Sequence, residues 1–492
     1  MTSIEKLQKL KTDLIELAVR GRLVEHRQEE GSAQELYEKI QQDKNKLIAE
    51  GKLKKEKPLP EISEGDIPFE IPKSWKFLKI GDICEINKRN KLNDNLEVSF
   101  IPMEHVTGGI CNKFKSETKH WRFVKKNYTH FRDGQIIIAK ITPCFQNRKS
   151  VILKGLKNGF AAGSSEFHTL LPINNNIVDK YILYFIKSEY FINNGCYAFN
   201  GTAGQQRVSA EFINNFIIPI PPYDEQKRIV ESLEAKFKVI DKAIALLERK
   251  ADLDKKIKEK ILQLAIQGKL VEQKPKEGTA QELYEKIQRE RQILISEGKL
   301  KKEKLLPEIS EDEIHFEIPK SWKWLRIRDL VVQAKQSKPI SNFKYIDVSA
   351  IDNDKKIVGT LLEYSAKDAP SRARKMVEPG MILFSTVRPY LVNTIIYNDN
   401  VNKTPVYAST AFATFSCSRI IYNRFLWYIL QSTYFIEYTI SCQKGISYPA
   451  INESSFYSCF VPVPPLEEQR RIVARIEQLF NIIDSQIVKQ DI

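Results

Sequence analysis

The nine residues AQELYEKIQ occupy positions 33–41 and recur unchanged at 280–288. Across residues 32–57 and the segment 247 positions later, 19 of 26 positions are identical. Other words return at similar spacing. LAVRGRLVE (17–25) comes back as LAIQGKLVE (264–272), and FEIPKSWKFLKIGDI (69–83) as FEIPKSWKWLRIRDL (316–330). IPIPPYDEQKRIVESLEAKF (218–237) is matched by VPVPPLEEQRRIVARIEQLF (461–480). A duplication of this kind restricts the chain to two half-molecules built on one plan. Between the repeated words lie two blocks of roughly 145 residues that share far less. Any fold must therefore combine like frames with unlike inserts.

The frame reads as helix. From Asp224 to about Lys269, apolar residues fall at Ile229, Leu233, Phe237, Ile240, Ile244, Leu247, Ala251, Ile257, Ile261 and Leu264. Steps of three and four put them on one stripe, the pattern of a coiled-coil seam. Pro221 and Pro222 supply the start, and a break is expected near Asp252–Asp254. At ~1.5 Å per residue such a rod is about 65–70 Å long. The C-terminal LEEQRRIVARIEQLFNIIDSQIVKQ matches the first half of the rod, and the N-terminal IEKLQKLKTDLIELAVRGRLVE matches its second half. An antiparallel pair of rods, one continuous and one split, would bury both stripes about a pseudo-twofold axis.

Residues 32–57 and 279–304 continue as helix up to a glycine, and proline-punctuated connectors lead from them into the blocks. The blocks mix β-rich runs such as GQIIIAKIT and GMILFSTVRPYL with helical runs such as DKYILYFIKSEYFI and NRFLWYILQSTYFIEYTI. The expected class is α+β: two mixed α/β blocks joined by long antiparallel coiled-coil helices. The division expected is a helical region at 1–68, a block at 69–222, and a central helical region with spacer at 223–315. A second block at 316–465 and a closing helix at 466–492 complete it.

Charge sharpens this picture. The net charge is +15, yet residues 75–222 carry 20 Lys/Arg against 11 Asp/Glu, and residues 322–465 carry 17 against 10. The remainder is close to neutral, so the positive excess sits in the two unlike blocks. That suggests two surfaces facing a polyanion. No apolar run approaches the ~18 residues that span a bilayer, and the charged, amphipathic start lacks a leader pattern, so a cytoplasmic location is expected. Seven scattered cysteines, Cys84, Cys111, Cys144, Cys196, Cys417, Cys442 and Cys459, read as reduced thiols with no metal-ligand spacing.

Catalytic chemistry is not legible. IPPY at 220–223 resembles the Asn/Asp-Pro-Pro-Tyr motif of adenine methyltransferases, but the leading residue is Ile220, and Val463 in the second copy. An aliphatic side chain cannot accept a hydrogen bond from an exocyclic amine, so these prolines are helix starts. No Gly-rich loop for a dinucleotide or S-adenosylmethionine occurs. The blocks instead offer polar residues on turns. AKITPCFQNRKS (139–150) presents Lys140, Thr142, Asn147 and Arg148, and its counterpart FSTVRPYLVN (384–393) presents Ser385, Arg388, Tyr390 and Asn393. NGTAGQQRVS (200–209) adds Gln205, Gln206 and Arg207, and CQKGISYPAIN (442–452) adds Lys444, Ser447 and Tyr448. Arg and Gln match the major-groove edges of guanine and adenine, while Lys, Ser, Thr and Tyr suit phosphates.

The paired PIPPYDEQKRIVESLE and PVPPLEEQRRIVARIE, with LQLAIQGKLVE and EIPKSWKW, resemble the specificity subunit of a type I restriction–modification system. The resemblance spans essentially the whole chain. It implies two target-recognition domains, each reading half of a bipartite sequence in double-stranded DNA, on helical regions that set the spacing. It further implies a non-catalytic chain docked to two methyltransferase subunits, with restriction subunits added. S-adenosylmethionine, ATP and Mg would belong to those partners, with no cofactor on this chain. The recognition subunit of a type IIB-like system and a nonspecific DNA-binding scaffold are the alternatives. The helical extensions at 32–57 and 279–304 are longer than the spacer typical of the family.

Overall fold

The computed structural model describes residues 1–54, 58–202, 205–298, 309–399, 404–418, 421–443 and 449–488. The chain divides into two units, Met1–Glu248 and Arg249–Ile492, so the central helical region is shared between them.

Each unit holds the same sheets in the same order. In the first, a four-stranded sheet runs Cys84–Ile86, Phe167–Pro172, Ile136–Ala139, Ser150–Ile152, and a second runs Glu117–His120, Glu97–Ile101, Phe160–Gly163, Thr129–Arg132. In the second unit the orders are Val331–Gln333, Phe412–Cys417, Ile382–Ser385, Thr394–Ile396 and Glu363–Tyr364, Phe343–Ile346, Val406–Ser409, Ala373–Val377. Each unit has one parallel pairing at the same place, Glu97–Ile101 with Phe160–Gly163 and Phe343–Ile346 with Val406–Ser409. A two-stranded ribbon closes each block, pairing Lys76–Lys79 with Ile217–Ile220 and Lys323–Arg326 with Phe460–Val463. Sequence divergence has therefore spared the topology. A small hairpin follows Glu97–Ile101 and Phe343–Ile346 alike, bridged at Val106–Phe114 in the first unit and pairing Ile351–Asp352 with Ile357–Val358 in the second.

The ribbon delivers the chain into the long helix, and the repeated words explain how. Tyr223–Ile266 is one helix of 44 residues that starts after Pro222. Gln226, fully buried, donates from Nε2 to the Pro221 carbonyl at 3.0 Å and accepts from the Val178 N–H at 2.9 Å. Gln469 repeats both bonds, to the Pro464 carbonyl at 3.0 Å and from the Tyr422 N–H at 2.9 Å. A buried amide bonded through both its nitrogen and its oxygen in this way is costly to replace, because each abandoned partner stays dry.

Within the first unit the helix Ser3–Val19 lies antiparallel to the start of the long helix, since Lys11 pairs with Asp241 at one end and His26 with Glu225 at the other. Within the second unit Leu466–Val488 runs antiparallel to the end of the long helix, with Lys258 on Asp484 and Arg471 on Glu277. Two expectations fail. The helix does not break at Asp252–Asp254, where Asp252 makes an i,i+4 ion pair with Lys256 at 2.7 Å and neither Gly nor Pro intervenes. Nor is the stripe buried throughout: Ile229, Leu233, Phe237, Ile240 and Ile261 are, but Ala251 and Ile257 are exposed. The flanking helices pack on the two ends of the long helix and leave those middle positions uncovered among the described residues.

Helix ends follow the repeat. Gly21 and Gly268, with φ of 67° and 66°, close their helices: their N–H groups donate to the Ala18 and Ala265 carbonyls, and those of the next residues, Arg22 and Lys269, to the Leu17 and Leu264 carbonyls. Ser32 and Thr279 cap Ala33–Ala49 and Ala280–Ser296 by accepting from the Glu35 and Glu282 N–H groups.

Candidate nucleic-acid interface

The two candidate loops of each block, some 60 residues apart, meet edge to edge. In the first unit Ile141 bridges to Arg207. The Thr142 N–H donates to the Gln206 carbonyl at 3.0 Å, and the Val208 N–H to the Lys140 carbonyl at 2.9 Å. In the second unit Val387 bridges to Ala450. There the Arg388 N–H donates to the Pro449 carbonyl at 3.0 Å, and the Ile451 N–H to the Thr386 carbonyl at 3.0 Å. The register is identical, so Lys140 corresponds to Thr386 and Thr142 to Arg388, each of the latter pair preceding a proline. Each first loop also closes at its base, with Ala139 N–H on the Lys149 carbonyl and Ser385 N–H on the Asn393 carbonyl, both at 2.9 Å. The residue before each closing carbonyl, Arg148 or Val392, is left-handed, with φ of 53° and 52°.

The candidate residues divide by where their side chains go. Asn147 and Gln205 are exposed, and Lys140, Gln206 and Arg207 are half-buried. Arg388 is exposed, Tyr390 is 48% exposed and Asn393 is half-buried. Thr142 Oγ1 is buried without a hydrogen-bond partner among the described residues, and Ser385, 1% exposed, donates from Oγ to the Val387 carbonyl at 2.8 Å. Those two hydroxyls face the loop interior. Lys444, Ser447 and Tyr448 lie outside the described residues.

Charge at the first pair of loops is organised by Glu166. Its carboxylate accepts from Arg207 Nε at 3.2 and 3.0 Å and from the terminal guanidinium nitrogen at 2.9 Å. These bonds hold the Glu166 carboxyl below its ordinary range. Beneath the loops, burial pushes the His168 pKa down. The neutral ring spans Val208 and Asn87, its nitrogens 2.9 Å from the Val208 carbonyl and 3.0 Å from Asn87 Nδ2.

Arg148 and Lys187 hold one another by their main chains. Arg148 Nε donates to the Lys187 carbonyl at 2.9 Å, and Lys187 Nζ donates to the Arg148 carbonyl at 3.0 Å and to the Gly109 carbonyl at 2.7 Å. Lys187 is fully buried, and desolvation pushes its pKa down to about 7. The turn carrying Gly109 is thereby fastened to the loop, and the Gly109 N–H also donates to the Asn147 carbonyl at 2.8 Å. Sequence reasoning missed Lys187, because in KSEYFI it reads as an ordinary helix-end cation. It also missed the exposed Gln146 at the loop tip, although that residue stands inside the quoted stretch.

Among the described residues no group of three or more His, Cys, Asp or Glu side chains could hold a metal ion, and no helix is long and apolar enough to cross a membrane. The arrangement offers paired, backbone-bridged loops on basic blocks.

Known proteins place this arrangement. A family model for the type I restriction modification DNA specificity domain matches twice, over residues 72–253 and 319–490. The EcoAI type I restriction enzyme specificity subunit of Escherichia coli is 33% identical over 96% of this chain and 89% of its own length. The EcoEI specificity subunit of the same organism is 32% identical over 97% and 90%. A chain from a solved type I R-M system, described for its complex assembly and conformational transition, has the same fold. It aligns with a TM-score of 0.56 and 18% identity, covering 86% of this chain and 94% of its own.

Proposed function

The chain belongs to the type I restriction–modification DNA specificity family, and from that we propose that it is the non-catalytic subunit that tells the complex which sequence to act on. Each unit reads one half of a bipartite site in double-stranded DNA through its bridged loops. The long helix and its antiparallel partners set the distance between the halves, which fixes their helical phase at ~10.5 base pairs per turn. Two methyltransferase subunits dock on the helical frame and restriction subunits join them. S-adenosylmethionine, ATP and Mg are bound by those partners in the cytoplasm.

The observation that carries this reading is the identical register of the loop bridges at Ile141–Arg207 and Val387–Ala450. Two loops fused at their bases present one reading edge, and its side chains differ between units while the register of its bridging bonds does not. Arg and Gln on such an edge suit guanine and adenine.

The test replaces residues 75–222 by the corresponding block of another family member and maps methylated sites in cells carrying the system. One half of the methylated motif should change, with the other half and the gap retained. A change in both halves overturns the division of labour.

A further inference from the structure

Each reading loop leaves its turn through a left-handed residue, and a lysine grips that residue's carbonyl in both units. In the first unit Lys187 Nζ is 3.0 Å from the Arg148 carbonyl. In the second, Lys356 Nζ is 2.6 Å from the Val392 carbonyl, the position that corresponds to Arg148 by bridge register and by its φ of 52°. Each ammonium takes a second partner, the Gly109 carbonyl at 2.7 Å or Asn353 Oδ1 at 2.6 Å.

The two lysines are not equivalent in the chain. Lys187 caps the helix Asp179–Ile186, where the matched word in the second unit has Gln431, whose Nε2 donates to the Trp427 carbonyl at 3.0 Å instead. Lys356 sits in the turn of the hairpin Ile351–Asp352 with Ile357–Val358. One carbonyl is thus held by the same chemical group from two unrelated places.

The physics argues for purpose. Burial disfavours an ammonium, and it pushes Lys187 down to about 7 and Lys356 to about 8. Left-handed backbone is strained for a branched residue such as Val392, and it persists only when the surroundings hold it. A cation with several donors is suited to that, because it bonds the Val392 carbonyl directly and joins the Ser150 N–H, at 2.9 Å, on the Arg148 carbonyl.

We propose that Lys187 and Lys356 are positioning residues that fix the exit of each reading loop, so that each controls base discrimination in its own half-site. This rests on the specificity reading above. Neither side chain touches DNA; each acts through the carbonyl it holds and the residues that precede it in the loop, Asn147 and Leu391.

The full chain assembled with its methyltransferase partners would be offered a randomised DNA library, and the methylated products sequenced. Lys187→Met should weaken discrimination by at least about tenfold in one half of the motif, and Lys356→Met in the other, with the gap length unchanged. Loss confined to one half is the outcome that general destabilisation would not produce. Should Lys187→Met fail to fold, Lys356→Met, on a half-buried turn, carries the test alone. Motifs as sharp as wild type, or both halves blurring together in either variant, overturn the proposal. A wild-type complex lacking a two-part motif would instead sink the specificity reading.

Discussion

Arg228 clasps Glu30 through two parallel bonds, Nε to Oε1 at 2.7 Å and the terminal nitrogen to Oε2 at 2.6 Å, while its other nitrogen reaches the Glu25 carbonyl at 2.9 Å. Arg471 does the same to Glu277 at 2.8 and 2.6 Å and to the Glu272 carbonyl at 3.1 Å. Both carboxylates are largely buried. The pair ties the segment just ahead of each 17-residue helix, Ala33–Ala49 or Ala280–Ser296, to the start of the helix that follows the block.

Removing one partner should therefore hurt more than a surface ion pair would. Arg228→Ala should cost about 2–3 kcal/mol, because Glu30 keeps its burial and loses both donors. Arg228→Lys should recover less than half of that, since an ammonium cannot form the parallel fork. Chemical denaturation of Arg228→Ala and Arg471→Ala checks this; losses below about 0.5 kcal/mol in both would show the clasps to be ornamental.

The repeated glycines make a second, sharper case. A Cβ on Gly21 would stand 2.5 Å from Pro72 Cγ, and one on Gly268 would stand 2.3 Å from Pro319 Cγ, at φ of 67° and 66°. Left-handed backbone alone disfavours alanine by about 1 kcal/mol, and the clash adds to it because both neighbours are rigid rings. Gly21→Ala and Gly268→Ala should each cost about 2–4 kcal/mol. Gly51→Ala, with the same sign of φ but nothing within 4 Å, should cost only about 1 kcal/mol. Equal losses at Gly21 and Gly51 would mean that the proline contact contributes nothing.

These contacts show why the frame was legible and the site only partly so. Words such as GRL/GKL, EIPKSW and EQKRIV/EQRRIV repeat because Gly21 meets Pro72 and Arg228 meets Glu25 and Glu30, each a partner from another repeated stretch, so a change in one disturbs the other. Periodicity and the double proline place the long helix to within a few residues, Asp224–Lys269 against Tyr223–Ile266. Its continuity past Asp252 was not legible, since helix breaks depend on Gly, Pro or inserted groups rather than on a local acidic pair. The loop pairs stand out in the sequence as polar turns, but their meeting is invisible there: the Ile141–Arg207 bridge joins residues 66 apart through tertiary packing. Ser385 read as an exposed hydroxyl and Lys187 as a surface cation for the same reason. Nothing local in the sequence says which way a turn residue points.

The buried lysines predict a pH dependence with a definite sign. Lys187, near Cys111 and Arg148, and Lys356, near Asp354, have folded-state pKa values of about 7 and about 8, below those of the unfolded chain. Between those values and the ordinary lysine range the unfolded state binds more protons, so stability rises with pH there and the contribution is lost as pH falls through about 7. Denaturation midpoints measured from pH 6 to pH 10 should climb more steeply for wild type than for a Lys187→Met/Lys356→Met double variant. Parallel curves would show that both lysines titrate normally.

The excess charge of the first block is not spread evenly, and this separates grip from reading. Residues 112–132 hold seven Lys/Arg and one carboxylate, and Glu117–His120 among them is an outer strand of its sheet. Lys113, Lys115, Arg122 and Lys126 are exposed and make no ion pair among the described residues. The turn just before this edge is the one fastened to the reading loop through Gly109, so the edge continues the same surface. The matching stretch of the second unit is weaker in free charge: Lys375 is buried on Glu453 at 2.6 Å, and Arg374 donates to the Ala373 carbonyl at 2.8 Å. If the first edge holds DNA phosphates, changing Lys113, Lys115, Arg122 and Lys126 together to Gln should flatten the log–log salt dependence of binding by up to about 3–4, at ~0.9 per lost phosphate contact. Base preference should stay as it was, since phosphates carry no sequence information directly. Changing Lys367 and Arg372 to Gln at the second edge should move the slope by less than about 1. Binding of each variant, assembled with its partners, to a cognate duplex from 50 to 300 mM salt measures this. An unchanged slope in the first variant would show that the rim is merely solvated, and a blurred motif with it would show that these cations read bases after all.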